Sequence, residues 1–387
     1  MIGTPNYVSL FTGAGGLDIG LERFGFKALT LCEIEEVFCK TLETNQNCTH
    51  ADGIDYFKGA KIINADIRDL VKSDLVSDVD LDLVVGGPPC QAFSSSGKQL
   101  SVLDPRGTLV NEFIRIVHEL RPRMFLFENV RGLVTARNSN GEPGGVIRGL
   151  LDQFHELGYS CRTALLNSAD WGAYQRRVRC FIVGSMQGTA PCFSAPTHQE
   201  STDIFHKKWQ SLRSFLEKHA DSDEGNYVFP TEALGRKLRN LPDGTGLKSA
   251  GRAEKTRPGG HWGYRQGTFI ADLGRPARTV TGSASQDWVR WGGVLRRLTL
   301  NEAKLLQGFP RDWTILGTKA QRFKQVGNAV PTVFGHVLGG MIQTFLKRYP
   351  SSPPVILDMP KNFEAYIDYT KRDQEKNSDS RVVHRNC

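Results

Sequence analysis

Residues 86–98 read Gly-Gly-Pro-Pro-Cys-Gln-Ala-Phe-Ser-Ser-Ser-Gly-Lys. Cys90 stands behind a proline pair, at the end of the apolar run Leu81–Val85, and a short apolar run bounded by Gly and Pro reads as a buried strand. Two prolines stiffen the chain before the sulfur, and the small polar residues after it bury little. This placement suits a nucleophilic thiol better than a packed one. In an open α/β sheet the carboxyl edge of the strands is where ligands bind.

A second constellation concerns a nucleoside. Phe11-Thr12-Gly13-Ala14-Gly15-Gly16 follows the apolar run from Tyr7 and precedes Leu17, Gly20, Leu21 and Phe24 at helical spacing. This is strand, glycine turn, helix, without the third glycine of the dinucleotide fingerprint. Glu33 ends the next strand, where a carboxylate can accept both hydroxyls of a ribose. Asp66 and Ile67 end the third strand, suited to an adenine amino group and its ring face. The set leaves no place for a pyrophosphate and points to S-adenosylmethionine.

These residues must be positioned by alternating elements. Ala28–Leu31, Lys61–Asn64, Leu81–Val85 and Met124–Phe127 read as strands, the last ending at Glu128-Asn129-Val130. Val110, Phe113, Ile114, Val117 and Leu120 share a helical face. A helix is expected over about 146–157, stopped by Gly158, and strands over 161–166 and 180–184. The alternation predicts an α/β fold with a doubly wound, mostly parallel sheet. After Ser185 the regularity fails, so a second, smaller and irregular domain is expected to about residue 295. Thr299 and Glu302 have the spacing of a capping box at the start of a helix reaching about Gln307. An amphipathic stretch over about 332–348 and a poorly ordered polar tail over 351–387 complete the reading.

Charge is concentrated in one segment. The chain has 387 residues, 49 Lys plus Arg against 41 Asp plus Glu, and a net charge of +8. Residues 230–297 carry 13 Lys or Arg against 5 Asp or Glu, which accounts for the whole surplus. The same segment holds Trp262, Tyr264, Phe269, Trp288 and Trp291, so it reads either as a site for a polyanion, with the aromatics as stacking or wedging surfaces, or as a solvated basic face with ordinary core aromatics. No run approaches the roughly 18 consecutive apolar residues of a membrane helix, and no membrane association is expected. The cysteines at 32, 39, 48, 90, 161, 180, 192 and 387 lack paired CxxC spacing, so neither disulfides nor a metal site is expected.

Further along the chain stand Gln175-Arg176-Arg177-Val178-Arg179, Arg297-Leu298-Thr299 with Glu302, Leu306-Gln307-Gly308-Phe309-Pro310 and Gly327-Asn328-Ala329-Val330-Pro331. Taken in order with Phe11–Gly16, Glu33, Asp66-Ile67, Pro88-Pro89-Cys90-Gln91 and Glu128-Asn129-Val130, the set resembles the C5-cytosine-specific DNA methyltransferases of the bacterial type II modification kind, over about residues 7–340. The resemblance implies a catalytic, S-adenosylmethionine-binding domain over 1–185 plus 296–350 and a target recognition domain over 186–295. It implies catalytic roles for Cys90, Glu128, Arg177 and Arg179, with Cys90 adding to C6 of cytosine and Glu128 holding the base at N3 and its amine. Phe11, Gly13, Gly15, Gly16, Leu17, Glu33, Asp66, Ile67, Pro89, Leu109, Asn328 and Ala329 are the implied cofactor residues. Gln91 and Thr279 are implied to meet the DNA, and Arg257, Arg265, Arg275 and Arg290 are candidates for guanine or phosphate contacts. Because C6 must be approached perpendicular to the ring, the base has to be flipped out, and residues 91–107 are read as a loop that closes over it.

The partner so implied is double-stranded DNA, and the enzyme is expected to be monomeric and cytoplasmic. A cognate restriction endonuclease would be its functional counterpart, and an orphan role stays open. Two other readings keep the same residues: a transfer-RNA cytosine-5 methyltransferase of this fold, and a catalytically silent DNA-binding regulator.

Overall fold

The computed structural model describes residues 3–46, 48–77, 79–89, 108–249, 256–257, 261–262, 268–348, 355 and 359–383. Its centre is a seven-stranded sheet built from β1 (Asn6–Leu10), β2 (Lys27–Glu33), β3 (Lys61–Asn64), β4 (Leu83–Gly86), β5 (Met124–Val130), β6 (Ser160–Asn167) and β7 (Val178–Ser185). The strand order is β3-β2-β1-β4-β5-β7-β6. The first five strands run parallel, and β7 is antiparallel to both β5 and β6. The central strands β1, β2, β4 and β5 are mostly buried and rich in Val, Leu and Phe, as a sheet covered on both faces requires, while the edge strands β3 and β6 are more exposed.

Strand order reverses between β1 and β4. The chain leaves β1 toward β2 and β3 on one side, then returns to β4 on the other, so the carboxyl ends of β1 and β4 flank a crevice. Leu10 pairs with Gly86 at that end. A Cβ at Gly86 would lie 2.9 Å from both the Leu10 carbonyl oxygen and the Phe113 ring. The absence of a side chain is therefore what lets the helix Thr108–Leu120 pack on the strand end.

Helix α1 (Gly16–Glu22) crosses the helix Thr332–Arg348 through glycines. A Cβ on Gly20 would stand 2.0 Å from the Thr332 carbonyl oxygen and 2.6 Å from the His336 nitrogen, and one on Gly335 would stand 2.0 Å from the Leu17 carbonyl oxygen. The span Lys319–Arg348 is, among the described residues, the one stretch long and apolar enough to cross a membrane by composition. Here its apolar face, with Phe334, Leu338, Ile342 and Leu346, is buried in the core beside α1.

The described residues of 186–295 form no large sheet. Their short strands Thr245–Gly246, Phe269–Ile270 and Trp288–Trp291 join Val294–Arg297 in a four-stranded sheet, so the last strand spans the boundary expected at 295/296. Leu238, Ile270 and Trp288 make a small core of their own, while the helix Leu212–His219 buries Leu212, Phe215 and Leu216 in the larger one. The capping box forms as read: the Thr299 hydroxyl accepts from the Glu302 nitrogen and the Glu302 carboxylate from the Thr299 nitrogen.

The expectation of a poorly ordered tail is corrected. Residues Lys361–Val383 form a helix that buries Phe363 and Ile367, and Ile367 packs over Gly144. The periodic apolar residues are too few to stand out against the polar sequence around them, and only the partner surface reveals them.

The glycine crossing makes a prediction. Gly20→Ala forces two backbones apart and should cost about 1–3 kcal/mol, measured by urea unfolding. Gly149→Ala, in the helix Gly145–Glu156 where nothing lies within 4 Å of a Cβ, should be neutral or stabilising by up to about 1 kcal/mol.

Candidate active site

The turn after β1 is backbone-driven. Phe11 has φ 56°, Gly13 φ 62° and Gly15 φ 83°. Left-handed φ is free for glycine and strained for an aromatic residue. The turn is pinned where the Thr12 nitrogen donates to the Cys32 carbonyl at 3.0 Å and the Gly15 nitrogen to the Thr12 carbonyl at 3.1 Å. A Cβ at Gly13 would meet nothing within 4 Å, so there the backbone faces open space. At Gly16 a Cβ would lie 2.3 Å from the Val330 carbonyl oxygen and 3.1 Å from Ala329 Cβ, which brings the Gly-Asn-Ala-Val-Pro segment against the turn.

Glu33 lies beside it. Its carboxylate accepts from the Gly13 nitrogen at 2.8 Å through Oε2, and from the nitrogens of Ile34 and Glu35 at 2.9 and 3.0 Å through Oε1. Burial raises its pKa, and the three N–H donors work against that rise. A carboxylate offers about four lone-pair positions, so Oε2 retains one for a hydroxyl. Ile34, next in sequence, is 59% exposed. An apolar side chain standing out beside a ribose-binding carboxylate is suited to a base ring, and the sequence reading passed over it because a lone Ile after a strand carries no signal.

The other cofactor candidates divide. The Asp66 carboxylate is paired with Arg68, which lowers its pKa, and it caps the short turn Ile67–Asp69. The side chains of Ile67 and Leu17 are buried in the core. Pro89 and Asn328 are exposed, Leu109 is half-buried, and Ala329 is buried against Gly16. With open backbone at Gly13, a lone pair on Glu33 and an apolar rim at Ile34, the set fits an adenosyl group without phosphates.

Glu128 reaches the crevice from the end of β5. Gly86 pairs with Phe127, so Glu128 falls beside Gly87, and a Cβ at Gly87 would stand 2.7 Å from Glu128 Oε2. Glycine at 87 therefore makes room for the carboxylate. Asn129 Nδ2 donates to the Pro88 carbonyl at 3.2 Å, tying the Pro-Pro segment to β5. Arg179 pairs with Val130 across β7, and its Nε lies 3.0 Å from Glu128 Oε1. Burial raises the Glu128 pKa, opposed by the charges of Arg179 and Arg177.

Arg177, to which the resemblance gives a catalytic role, is held by backbone carbonyls in this structure. It is buried, and its guanidinium donates to the carbonyls of Val280 at 2.9 Å and Gly327 at 2.8 Å. Gln175, unassigned on sequence, does similar work: its Oε1 accepts from the Val280 nitrogen at 2.8 Å and its Nε2 donates to Gln307 Oε1 at 2.8 Å. The Thr279 hydroxyl donates to the Arg176 carbonyl at 2.8 Å. Gly327 packs so closely on Thr281 and Gly282 that a Cβ there would come within 2.1 Å of their backbone atoms.

Among the candidate DNA readers, Arg290 has partners within the fold. It pairs with Asp243, and its NH2 donates to the carbonyls of Leu238 at 2.9 Å and Leu241 at 2.8 Å, so it closes the end of the helix Glu232–Arg239. Arg275 lies 3.7 Å from Glu200 and 3.6 Å from Asp272, and is half-exposed. Arg257 belongs to a short strand paired with His261–Trp262. Cys90, Gln91, Arg265 and the expected closing loop 91–107 lie outside the described residues.

Comparison with known proteins shows the family and the fold. The family model described as C-5 cytosine-specific DNA methylase matches residues 6–344. Type II methyltransferase M1.HphI of Haemophilus parahaemolyticus is 31% identical over 341 residues, covering 86% of this chain and 85% of its own length. Type II methyltransferase M.FnuDI of Fusobacterium nucleatum is 28% identical over 358 residues, covering 88% and 94%. Among solved structures, a DNA modification methyltransferase encoded within an E. coli prophage superposes with a TM-score of 0.64 at 19% identity, covering 89% of this chain and 99% of its own. Spodoptera frugiperda DNMT2 gives 0.59 at 17% identity, covering 88% and 99%. At such identities the two structures speak for the fold.

The Glu128–Arg179 pair yields a signed prediction. A carboxyl whose folded pKa is raised contributes stability at low pH that is lost as pH rises through the folded value. Arg179→Met removes the opposing charge and raises the Glu128 pKa further, so the deficit against wild type should grow with pH. Urea unfolding should show a small loss at pH 5 and about 3–5 kcal/mol at pH 8, the cost of a buried carboxylate deprived of its partner.

Proposed function

The chain belongs to the C-5 cytosine-specific DNA methylases and is a DNA (cytosine-5-)-methyltransferase; from that premise we propose which of its residues perform the reaction. The observation that carries the proposal is the buried, charge-paired Glu128 carboxylate packed on Gly87, three residues before Cys90.

C5 of cytosine is a weak nucleophile. Addition of the Cys90 thiolate at C6 converts the ring to an enamine and makes C5 reactive. A carboxyl whose pKa is raised by burial can hold a proton toward N3 while its other oxygen accepts from the exocyclic amine, and Glu128 so placed stabilises the charge that develops on addition. Arg179 keeps that carboxyl oriented. Arg177 and Gln175 hold the Thr279-Val280 segment, which the resemblance assigns to the flipped nucleotide.

When bound, S-adenosylmethionine supplies the electrophilic methyl that the activated C5 takes. The Phe11–Gly16 turn, Glu33 and Ile34 would hold its nucleoside, with Ala329 closing the turn from behind. Loss of the C5 proton to water and departure of the thiolate restore the aromatic ring and free Cys90.

The substrate is double-stranded DNA carrying a short recognition sequence, on which the enzyme works as a cytoplasmic monomer. Methylation of that sequence would protect it from a cognate restriction endonuclease.

Labelled S-adenosylmethionine offered with unmethylated genomic DNA and, separately, with transfer RNA tests this reading. Bisulfite sequencing should show 5-methylcytosine at one short DNA sequence, lost by more than 1,000-fold in Cys90→Ala and in Glu128→Ala, with RNA unlabelled. Label in RNA alone would transfer the assignment to that substrate, and a fully active Cys90→Ala would remove the thiolate mechanism.

A further inference from the structure

Glu22 and Phe57 stand behind the glycine turn, and neither touches the crevice. Glu22 closes α1, and its half-buried carboxylate accepts from the Phe57 nitrogen at 2.6 Å through Oε2 and from the Ala28 nitrogen at 3.2 Å through Oε1. Gln46 Nε2 takes hold of the other side of the same residue, donating to the Phe57 carbonyl at 2.9 Å and to the Ala60 carbonyl at 2.6 Å. Phe57 is held at φ 58°, a left-handed conformation unfavourable for an aromatic residue, which persists only where its surroundings determine it.

The strained backbone aims a ring. A Cβ built on Gly15 would lie 3.0 Å from Phe57 Cζ and 3.1 Å from Phe57 Cε2, with Leu42 Cδ2 also at 3.1 Å. The ring edge therefore supports the underside of the turn whose other side opens at Gly13. The segment is further secured by Arg23, which donates to the Tyr56 hydroxyl at 2.8 Å and pairs with Asp52 at 3.0 Å.

We propose that Glu22 and Gln46 clamp Phe57 as a positioning device for the Phe11–Gly16 turn, so that its hold on that turn sets the affinity for S-adenosylmethionine. The inference rests on the reading that this turn holds the cofactor. A ring that merely filled the core would matter to stability alone. A ring that fixes the turn matters to cofactor binding beyond stability, because pre-organised backbone lowers the ordering cost on binding. Burial raises the Glu22 pKa to about 7, against the lowering effect of the Phe57 and Ala28 N–H groups from which it accepts.

Calorimetric titration with S-adenosylhomocysteine is the direct test, on the full chain carrying Phe57→Leu, which keeps an apolar side chain but loses the ring. The expected result is a Kd raised about tenfold, KM for S-adenosylmethionine raised by the same factor, kcat at saturating cofactor within twofold, and unchanged DNA affinity. Glu22→Gln, which can keep only one of the two acceptor bonds, should move the same quantities in the same direction and carries the test if Phe57→Leu does not fold. Wild-type Kd in both variants, with only a lower Tm, would overturn the inference. Failure of the wild-type protein to bind S-adenosylhomocysteine would instead overturn the cofactor reading on which it stands.

Discussion

The site depends on a requirement that buried irregular backbone satisfy its hydrogen bonds. Segment 276–281 lies outside helix and sheet ladder and meets the C-terminal end of the helix Lys319–Asn328, whose last carbonyls lack helical partners; much of both is buried, and an unpaired buried N–H or C=O costs about 1–3 kcal/mol. Side chains supply the partners. Gln175 serves Val280 and Leu306, Gln307 serves Val326 and Ala329, and Arg177 bridges Val280 and Gly327. Three stretches far apart in sequence thus become one wall, and the wall holds Ala329 against Gly16 on one side and the 281–285 loop on the other.

Electrostatics follows the same economy. Arg296 and Glu302 are fully buried and bonded twice, at 2.6 and 2.8 Å, with Tyr227 below the guanidinium at 4.3 Å. Asp287 sits among the charges of Arg278, Arg176 and Arg297, yet burial raises its pKa. Arg278 lies over Phe269 at 4.1 Å and Arg297 over Trp288 at 4.2 Å. Much of the basic surplus of residues 230–297 is therefore occupied within the fold. Counting charges overstates how many of them are left for a partner, as Arg290 with its Asp243 pair and backbone carbonyls illustrates.

Close approach is the other recurring device. Gly20 and Gly335 let two helices touch, Gly87 admits Glu128, Gly15 accepts the Phe57 ring, and Gly327 seats the 281–282 backbone. In each case a methyl group would occupy the space of a neighbour from another part of the chain. Interiors packed to crystal-like density leave no slack for it.

The sequence alone determined what local pattern can express. Apolar runs ended by Gly or Pro marked the strands, the Thr299–Glu302 spacing marked a capped helix, and residue types at strand ends marked Glu33 and Glu128 for attention, because strand termini in such a sheet converge on one edge. Tertiary structure decided which arginines work inside the protein, that Arg296 rather than Arg297 pairs with Glu302, that Ile34 stands out at the rim, and that residues 361–383 dock as a helix. Those outcomes depend on which distant backbone or side chain arrives beside each residue. A guanidinium facing a phosphate and one facing a buried carbonyl are the same letter in the sequence, and only the fold supplies the partner that tells them apart.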